Sequence, residues 1–192
     1  MLRIRVRKQL STCAAALLLS VAAFAATPAL AVNAGDQAPA WQGADLLSGE
    51  TVRFPELLQD RPAVMLFWAT WCPYCKAFMP FAAEIQRDYA ERGVQIVTVN
   101  FKERGRGDPV AYARGLGFDL IAVADPAGEI GGDYGIRGIP GLMVVDGAGR
   151  VSWRRKVTNL PAGSLVGKQW DREVRAALDQ LLAESDTASA AR

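Results

Sequence analysis

The chain of 192 residues contains no histidine. This absence excludes general acid–base catalysis by an imidazole and every metal site that depends on histidine ligands. Cysteine is nearly as scarce, because Cys13, Cys72 and Cys75 are the only three, too few for a zinc site of four thiolates. The sequence therefore predicts a protein with no bound metal and no other cofactor.

The N-terminal segment has the features of a targeting signal. Basic residues crowd the first eight positions, and the apolar run at residues 14–26 is too short to span a bilayer comfortably. Small residues at Ala29 and Ala31 suit a signal peptidase, so we predict a signal peptide over residues 1–31 and a periplasmic or secreted protein. The alternative is an uncleaved segment that anchors the chain in the membrane.

Removal of this segment would reverse the sign of the net charge. The whole chain has 22 Lys and Arg against 20 Asp and Glu. Without the four basic residues of the segment, residues 32–192 have 18 against 20, and so small an imbalance gives no reason to expect nucleic-acid binding. The 161 residues that remain suffice for one domain. We place it at residues 32–184, followed by a flexible tail at 185–192.

Alternating strand and helix patterns predict an α/β fold. The run Ala63–Trp68 is continuously apolar, as in a strand that is buried on both faces. Further strands are predicted at residues 51–54, 94–101, 120–124, 142–145 and 151–156, and helices at 73–90, at 108 to about 115 or 117, and around 174–182. We expect a mixed central sheet that is covered by helices on both faces and preceded by a β-hairpin.

Two cysteines separated by two residues lie where the apolar strand gives way to a helix. This placement favours a redox dithiol over a zinc ligand pair, with a static structural disulfide as the alternative. Cys72 would lie at the first helical turn, where free backbone N–H groups and the helix dipole favour a thiolate, so we expect it to be the attacking nucleophile. Cys75, one turn further along and less exposed, would resolve the mixed disulfide. Pro73 fits the first turn because it has no N–H to leave unsatisfied.

Aromatic residues flank the two thiols. Trp71 precedes Cys72 and Tyr74 lies between the cysteines. We expect both side chains to form part of an apolar contact surface for partner peptides. Trp68, at the end of the buried strand, is expected to lie in the core instead.

Two separate motifs resemble the thioredoxin superfamily. Residues 67–76, with Pro80 inside the helix that follows, are similar to the active-site strand and kinked helix of that family. Residues 134–140, which read Tyr-Gly-Ile-Arg-Gly-Ile-Pro, resemble its cis-proline loop. Within the superfamily the chain resembles the secreted TlpA/ResA-like branch, because of its early hairpin and the longer segment at residues 100–125. Members of that branch are thiol–disulfide oxidoreductases of the bacterial cell envelope, and some reduce apocytochrome c with electrons from a membrane donor.

The resemblance implies a substrate site beside the thiols. It implies a cis bond between Ile139 and Pro140, backbone pairing of this loop with the substrate peptide, and exclusion of metal by Pro140. Together with Trp71, Pro73 and Tyr74, these two residues form the predicted substrate-binding set.

Two departures from the family concern the proton of the second thiol. Thioredoxins carry a buried acid six residues before the first cysteine, and many cytochrome-maturation members carry Glu three residues after the second. This chain has Leu66 and Phe78 at those positions. The proton of the second thiol would therefore have to pass to water, or to Glu103 and Lys102, which follow the second buried strand. The alternative is that Glu103 and Lys102 are two solvated loop charges.

Taken together, the residues and the resemblance predict a periplasmic oxidoreductase that exchanges disulfides with protein or peptide thiols. Ile139 before the proline resembles reductases. The Pro73-Tyr74 pair resembles the glutaredoxin dipeptide, whose proteins have potentials of about −200 to −230 mV. We predict a reductase of intermediate potential that receives electrons from a membrane donor, with cytochrome c maturation as one candidate pathway.

Two other functions compete with this prediction. A thiol peroxidase would carry Pro-x-x-x-Thr-x-x-Cys, but the chain has Met65 and Ala69 where that motif needs Pro and Thr. A partner-binding module without catalysis is the second alternative, although such modules usually lose the cysteines that this chain keeps.

Overall fold

The computed structural model describes residues 31–156 and 164–191. The strands are β1 (Trp41–Ala44), β2 (Thr51–Phe54), β3 (Ala63–Trp68), β4 (Gln95–Phe101), β5 (Ile121–Asp125), β6 (Gly141–Val145) and β7 (Val151–Arg154). The helices are α1 (Pro73–Tyr89), α2 (Pro109–Gly115), α3 (Glu129–Asp133) and α4 (Ser164–Ala190). Five strands form one mixed sheet in the order β5-β4-β3-β6-β7, and β1 and β2 form a separate hairpin. The predicted mixed sheet and N-terminal hairpin are confirmed.

The central strand β3 organises the core. All six of its residues are buried, as its apolar sequence predicts. Val64, Leu66 and Trp68 belong to a hydrophobic cluster that includes residues of α1, α2 and α4. The alternate residues belong to a second cluster, which includes Ile130 of α3 and Trp41 of the hairpin. Trp68 is thus a core residue, as expected, and helices cover both faces of the sheet.

The strand directions bring three chain segments to one edge of the sheet. β4 runs parallel to β3, so both strands end at this edge. β6 runs antiparallel to β3 and begins there, with Gly141 paired to Phe67. Residues 69–76, 102–108 and 134–140 therefore meet at what we call the carboxyl edge of β3. Each predicted site residue lies in one of these segments.

The structure adds a short helix, α3, that the sequence pattern did not predict. Two of its five residues are glycines, which lower helix propensity. The carboxylate of Asp125 compensates by accepting the backbone N–H groups of Ile130 and Gly131, at 3.3 and 2.8 Å. The ring of Phe101 lies so close to Gly131 that a Cβ there would overlap with it. Gly131 therefore weakens the helical signal in the sequence, but it also allows α3 to pack against Phe101.

The last helix extends into residues 185–190, which belong to the predicted tail, and the flexibility of that tail stays a prediction. α4 runs to Ala190, six residues past the predicted end of the domain. Its final two turns are fully exposed, so they carry no apolar stripe that a hydrophobic pattern could detect. Arg92 and Asp186 form an ion pair of 2.8 Å that joins this part of α4 to the short turn directly after α1.

The predicted signal peptide falls almost wholly outside the described residues, which begin at position 31. Among the helices of residues 31–156 and 164–191, none is both long and apolar enough to cross a membrane.

Candidate active site

Cys72 and Cys75 form a disulfide at the start of α1, with their Cα atoms 5.3 Å apart. Cys72 is the N-cap residue and has extended backbone angles, with φ −91° and ψ 106°, while Pro73 occupies the first turn. The Sγ atom of Cys72 accepts the backbone N–H of Cys75 at 3.0 Å. The helix therefore begins where the sequence predicts, and one sulfur already takes a hydrogen bond from the helix N-terminus.

Both cysteines are almost fully buried in the disulfide form. The two residues are 2% and 1% accessible, respectively. They share a hydrophobic cluster with Leu66 and Phe78, the two residues that replace the family's acids. They are buried because the first turn of α1 packs into the same cluster as α4, a contact that the local pattern of residues 71–75 does not reveal. The second thiol thus has a distinctly apolar environment.

The Ile139–Pro140 peptide bond is cis, as the resemblance implies. Pro140 is buried and Ile139 is half-buried. The carbonyl oxygen of Pro140 accepts two hydrogen bonds from Arg155, from Nε at 3.0 Å and from Nη2 at 2.6 Å. Burial lowers the pKa of Arg155, and the nearby charge of Glu173 opposes that shift. Sequence reasoning did not identify Arg155, because the contact joins two segments without any motif.

Arg155 also connects the proline loop to the residues between the cysteines. Its guanidinium lies 4.9 Å from the centre of the Trp170 ring. Trp170 is buried in α4, and its ring centre is 6.3 Å from that of Tyr74 and 6.5 Å from that of Phe78. Tyr74 is consequently half-buried against α4 and presents only part of its ring to a partner. One face of α4 thus supports both halves of the site.

Trp71 is the large aromatic residue that stands out from the carboxyl edge. It is 37% exposed, and its indole N–H donates to the carbonyl of Lys102 at 3.4 Å. The guanidinium of Arg104 stacks 3.9 Å from the centre of its ring. Pro73 beside it is also exposed. The loop after β4 therefore lies directly against the segment that carries the first cysteine.

Glu103 holds that segment in place by several hydrogen bonds. Its Oε2 accepts the backbone N–H of Thr70 at 2.9 Å and the amide of Asn100 at 2.8 Å. Its Oε1 accepts the hydroxyl of Thr70 at 2.6 Å. Burial opposes ionisation, but the hydrogen bonds from Asn100, Thr70 and the backbone of Arg104 together hold the pKa of Glu103 below its usual value.

These hydrogen bonds indicate a structural role for Glu103. Its hydrogen-bond partners are two residues that the sequence did not single out, Thr70 and Asn100, and a lowered pKa makes the carboxylate a weak proton acceptor. Lys102 has a left-handed backbone with φ 49°, and its side chain lies along Gly128. The proton relay through Glu103 and Lys102 stays a prediction, and neither side chain is hydrogen-bonded to a cysteine in the described part of the chain.

Loss of the Glu103 carboxylate is expected to weaken the fold. Glu103→Ala should lower the free energy of unfolding by about 1–3 kcal/mol, because the N–H of Thr70 loses its acceptor. A carboxyl whose pKa is lower in the folded state stabilises the protein above its unfolded value of 4.5, and the contribution disappears as the pH falls further. Urea unfolding of Glu103→Gln should therefore show a smaller loss of stability between pH 5 and acid than the wild type.

The exposed residue Glu84 provides the matched control for that experiment. Glu84→Gln removes the same charge from the outer face of α1 and should leave both the stability and its acid dependence unchanged. Identical pH dependence in the wild type and the Glu103→Gln variant would contradict the assigned role of Glu103.

Within residues 31–156 and 164–191, no group of three or more Cys, Asp or Glu residues is arranged to hold a metal ion.

Known proteins are similar to this chain in sequence. The thiol:disulfide interchange protein DsbE of Pasteurella multocida is 30% identical over 125 residues, which are 65% of this chain and 63% of that protein. The match thus spans less than two thirds of the relative's length.

Solved structures show the same fold. A Chlorobium tepidum protein that is provisionally assigned as DsbE superposes with a TM-score of 0.63 at 23% identity, and the match covers 77% of this chain and 99% of that one. The thioredoxin domain of a Bacteroides vulgatus thiol-disulfide oxidoreductase gives a TM-score of 0.57 at 19% identity, over 75% and 99% of the two chains. The model of the AhpC/TSA family matches residues 34–154, and the chain therefore belongs to this family of thioredoxin-fold proteins.

Proposed function

We propose that the protein is a thiol–disulfide oxidoreductase that acts on protein or peptide substrates through Cys72 and Cys75. The observation that carries the proposal is the position of their disulfide, which lies at a helix N-terminus at the same sheet edge as the Pro140 loop. The name of the Pasteurella multocida relative, a thiol:disulfide interchange protein, supports the same activity. The chain has no histidine that could provide another catalytic base.

The reduced protein would transfer two electrons to a substrate disulfide. The thiolate of Cys72 attacks one substrate sulfur, so a bond between the two proteins forms while the substrate S–S bond breaks. The departing sulfur leaves as a thiolate and takes a proton from water. Cys75 then loses its proton and attacks Sγ of Cys72, which releases the second substrate thiolate. The substrate ends as two thiols, and the enzyme ends as the Cys72–Cys75 disulfide.

The helix N-terminus favours Cys72 as the first nucleophile. Its sulfur accepts the N–H of Cys75 in the disulfide, and such a bond becomes stronger when the acceptor carries a negative charge. The positive end of the helix dipole acts in the same direction. Trp71, Pro73, Tyr74, Ile139 and Pro140 surround the pair as the proposed substrate-binding set.

We place the activity in the periplasm and in the reducing direction. The features of residues 1–31 support export, and the resemblance to the TlpA/ResA-like branch supports a membrane electron donor. The cysteine pairs of apocytochrome c are the first substrates to test, because the same resemblance points to them.

The direction can be tested by equilibrating the protein in defined thiol–disulfide buffers. We expect a midpoint potential between about −270 and −200 mV, in the range of thioredoxin and the glutaredoxins. Quantification of free thiols by alkylation and mass spectrometry gives the value directly. A midpoint potential of about −120 mV, the value of a strong oxidant, would contradict a reducing role.

The activity itself is tested by adding the reduced full chain to a peptide disulfide. We expect stoichiometric release of substrate thiols together with formation of the intramolecular disulfide. If the protein instead consumed hydroperoxide rapidly and left the peptide disulfide intact, the thiol peroxidase alternative would replace this proposal.

A further inference from the structure

The exposed side chains around the cysteines have a strong charge bias. The segments 69–76, 102–108 and 134–140 together contain seven charged residues: the basic ones are Lys76, Lys102, Arg104, Arg106 and Arg137, and the acidic ones are Glu103 and Asp108. The five basic residues are all exposed, and we call them the basic rim.

The sign of the rim is opposite to that of the rest of the domain. The three segments carry a net charge of +3, whereas residues 32–192 as a whole carry −2, from 18 basic and 20 acidic residues. Positive charge is therefore concentrated at the edge where the disulfide lies. Such a local field attracts ligands of the opposite sign and speeds their encounter.

Both acidic residues of these segments are engaged within the protein. Glu103 accepts hydrogen bonds from Thr70 and Asn100. Asp108 caps α2 by accepting the N–H of Ala111 at 2.9 Å. In contrast, no ion pair holds Arg104 or Arg106 within the described residues. Asp108 is itself exposed, but the three segments keep an excess of basic charge at the surface.

Contacts within the fold fix this rim beside the first cysteine. Arg104 stacks on the ring of Trp71 at 3.9 Å, one residue before Cys72. Gly107 lies so close to Thr70 that a Cβ at this position would overlap with its side chain. Arg106 therefore belongs to a loop that is packed directly against Thr70, two residues before Cys72.

We propose that the basic rim binds acidic residues that flank the reactive cysteine of a partner polypeptide. The partner's carboxylates would contact Arg104 and Arg106 while its cysteine reaches Cys72 past the apolar surface of Trp71. This inference rests on the proposed function, since it names the class of substrate that the same dithiol prefers. It assigns the loop after β4 a role in selecting substrates.

The test compares two peptides that carry the same mixed disulfide with a chromogenic thiol. One peptide has Asp and Glu around its cysteine, and the other has Lys and Arg. The reduced full-length protein is added to each, and each rate constant is divided by the rate constant with dithiothreitol to remove intrinsic reactivity. We expect the acidic peptide to react about tenfold faster or more at low ionic strength, with the preference shrinking in high salt.

Charge-reversal variants connect this preference to the rim. Arg106→Glu, which leaves the stack of Arg104 on Trp71 intact, should reduce the preference severalfold, and Arg104→Glu should do the same. Arg53→Glu makes the same change on the exposed edge of the hairpin and should leave the preference unaltered.

The outcomes separate this inference from the proposed function. Equal reaction with both peptides at every salt concentration would overturn the acidic-partner assignment while leaving the oxidoreductase activity intact. Failure to react with either peptide would overturn the proposed function itself. Binding to phosphatidylglycerol vesicles without any peptide preference would assign the rim to a membrane surface and contradict a polypeptide partner.

Discussion

Replacing Cys72 by Ser is expected to reduce disulfide exchange to about one thousandth of the wild-type rate or less, equivalent to roughly 4 kcal/mol of transition-state stabilisation. A serine hydroxyl is a weak nucleophile near neutral pH unless a base activates it. The chain has no histidine to act as that base. The loss should therefore be close to complete, and the assay is reduction of a peptide disulfide under pseudo-first-order conditions.

Replacing Cys75 by Ser should give a different result, since the first attack remains possible. The mixed disulfide between Cys72 and the substrate would accumulate, because the resolving thiol is absent. Nonreducing mass spectrometry should show a mass increase equal to one substrate thiol, and the same variant in cells should retain its natural partners covalently.

In the full chain, Cys13 provides the matched control, because it is the one other cysteine and lies in the predicted signal peptide, outside the site. Cys13→Ser should exchange at the wild-type rate. Normal exchange by Cys72→Ser, or accumulation of a mixed disulfide in that variant, would show that Cys72 is not the nucleophile.

The secondary-structure elements that were predicted correctly are those whose sequence pattern lies within one short segment. Ala63–Trp68 is apolar at every position and forms a strand that is buried on both faces. Asp108 and Pro109 mark a helix start, and the Asp108 side chain caps it. The cis bond before Pro140 was expected from the resemblance, since sequence alone rarely reveals a cis bond.

Contacts between distant segments were not predictable in the same way. Arg155 reaches the carbonyl of Pro140 because β7 runs beside β6, and Trp170 reaches Tyr74 because α4 packs on α1. The burial of Cys72 has the same origin. Such contacts depend on how helices and strands assemble, and a pattern confined to one segment carries no information about them.

Trp170 in α4 supports the site together with Arg155, which directly follows β7, and its removal should give the second large effect. Trp170→Ala should lower the free energy of unfolding by about 3–5 kcal/mol, the usual cost of removing a large buried aromatic side chain. The ring is only 2% accessible and contacts Phe78 and Tyr74. Its indole N–H has no hydrogen-bond partner among the described residues, so Trp170→Phe should recover most of the loss, as measured by urea unfolding.

The effect of Trp170→Ala on exchange should exceed what its lower stability explains. Without the ring, Arg155 loses the surface on which its guanidinium lies, and its two hydrogen bonds to Pro140 lose orientation. Tyr74 between the cysteines loses its neighbour at the same time. Ile85→Ala serves as the control, because Ile85 is fully buried in the same cluster but lies in the fourth turn of α1, away from Arg155 and Pro140. Its truncation should cost about 2–5 kcal/mol yet leave the exchange rate of the folded protein near the wild-type value. If both variants exchanged at the same rate under conditions where each is folded, α4 would stabilise the protein without positioning its active site.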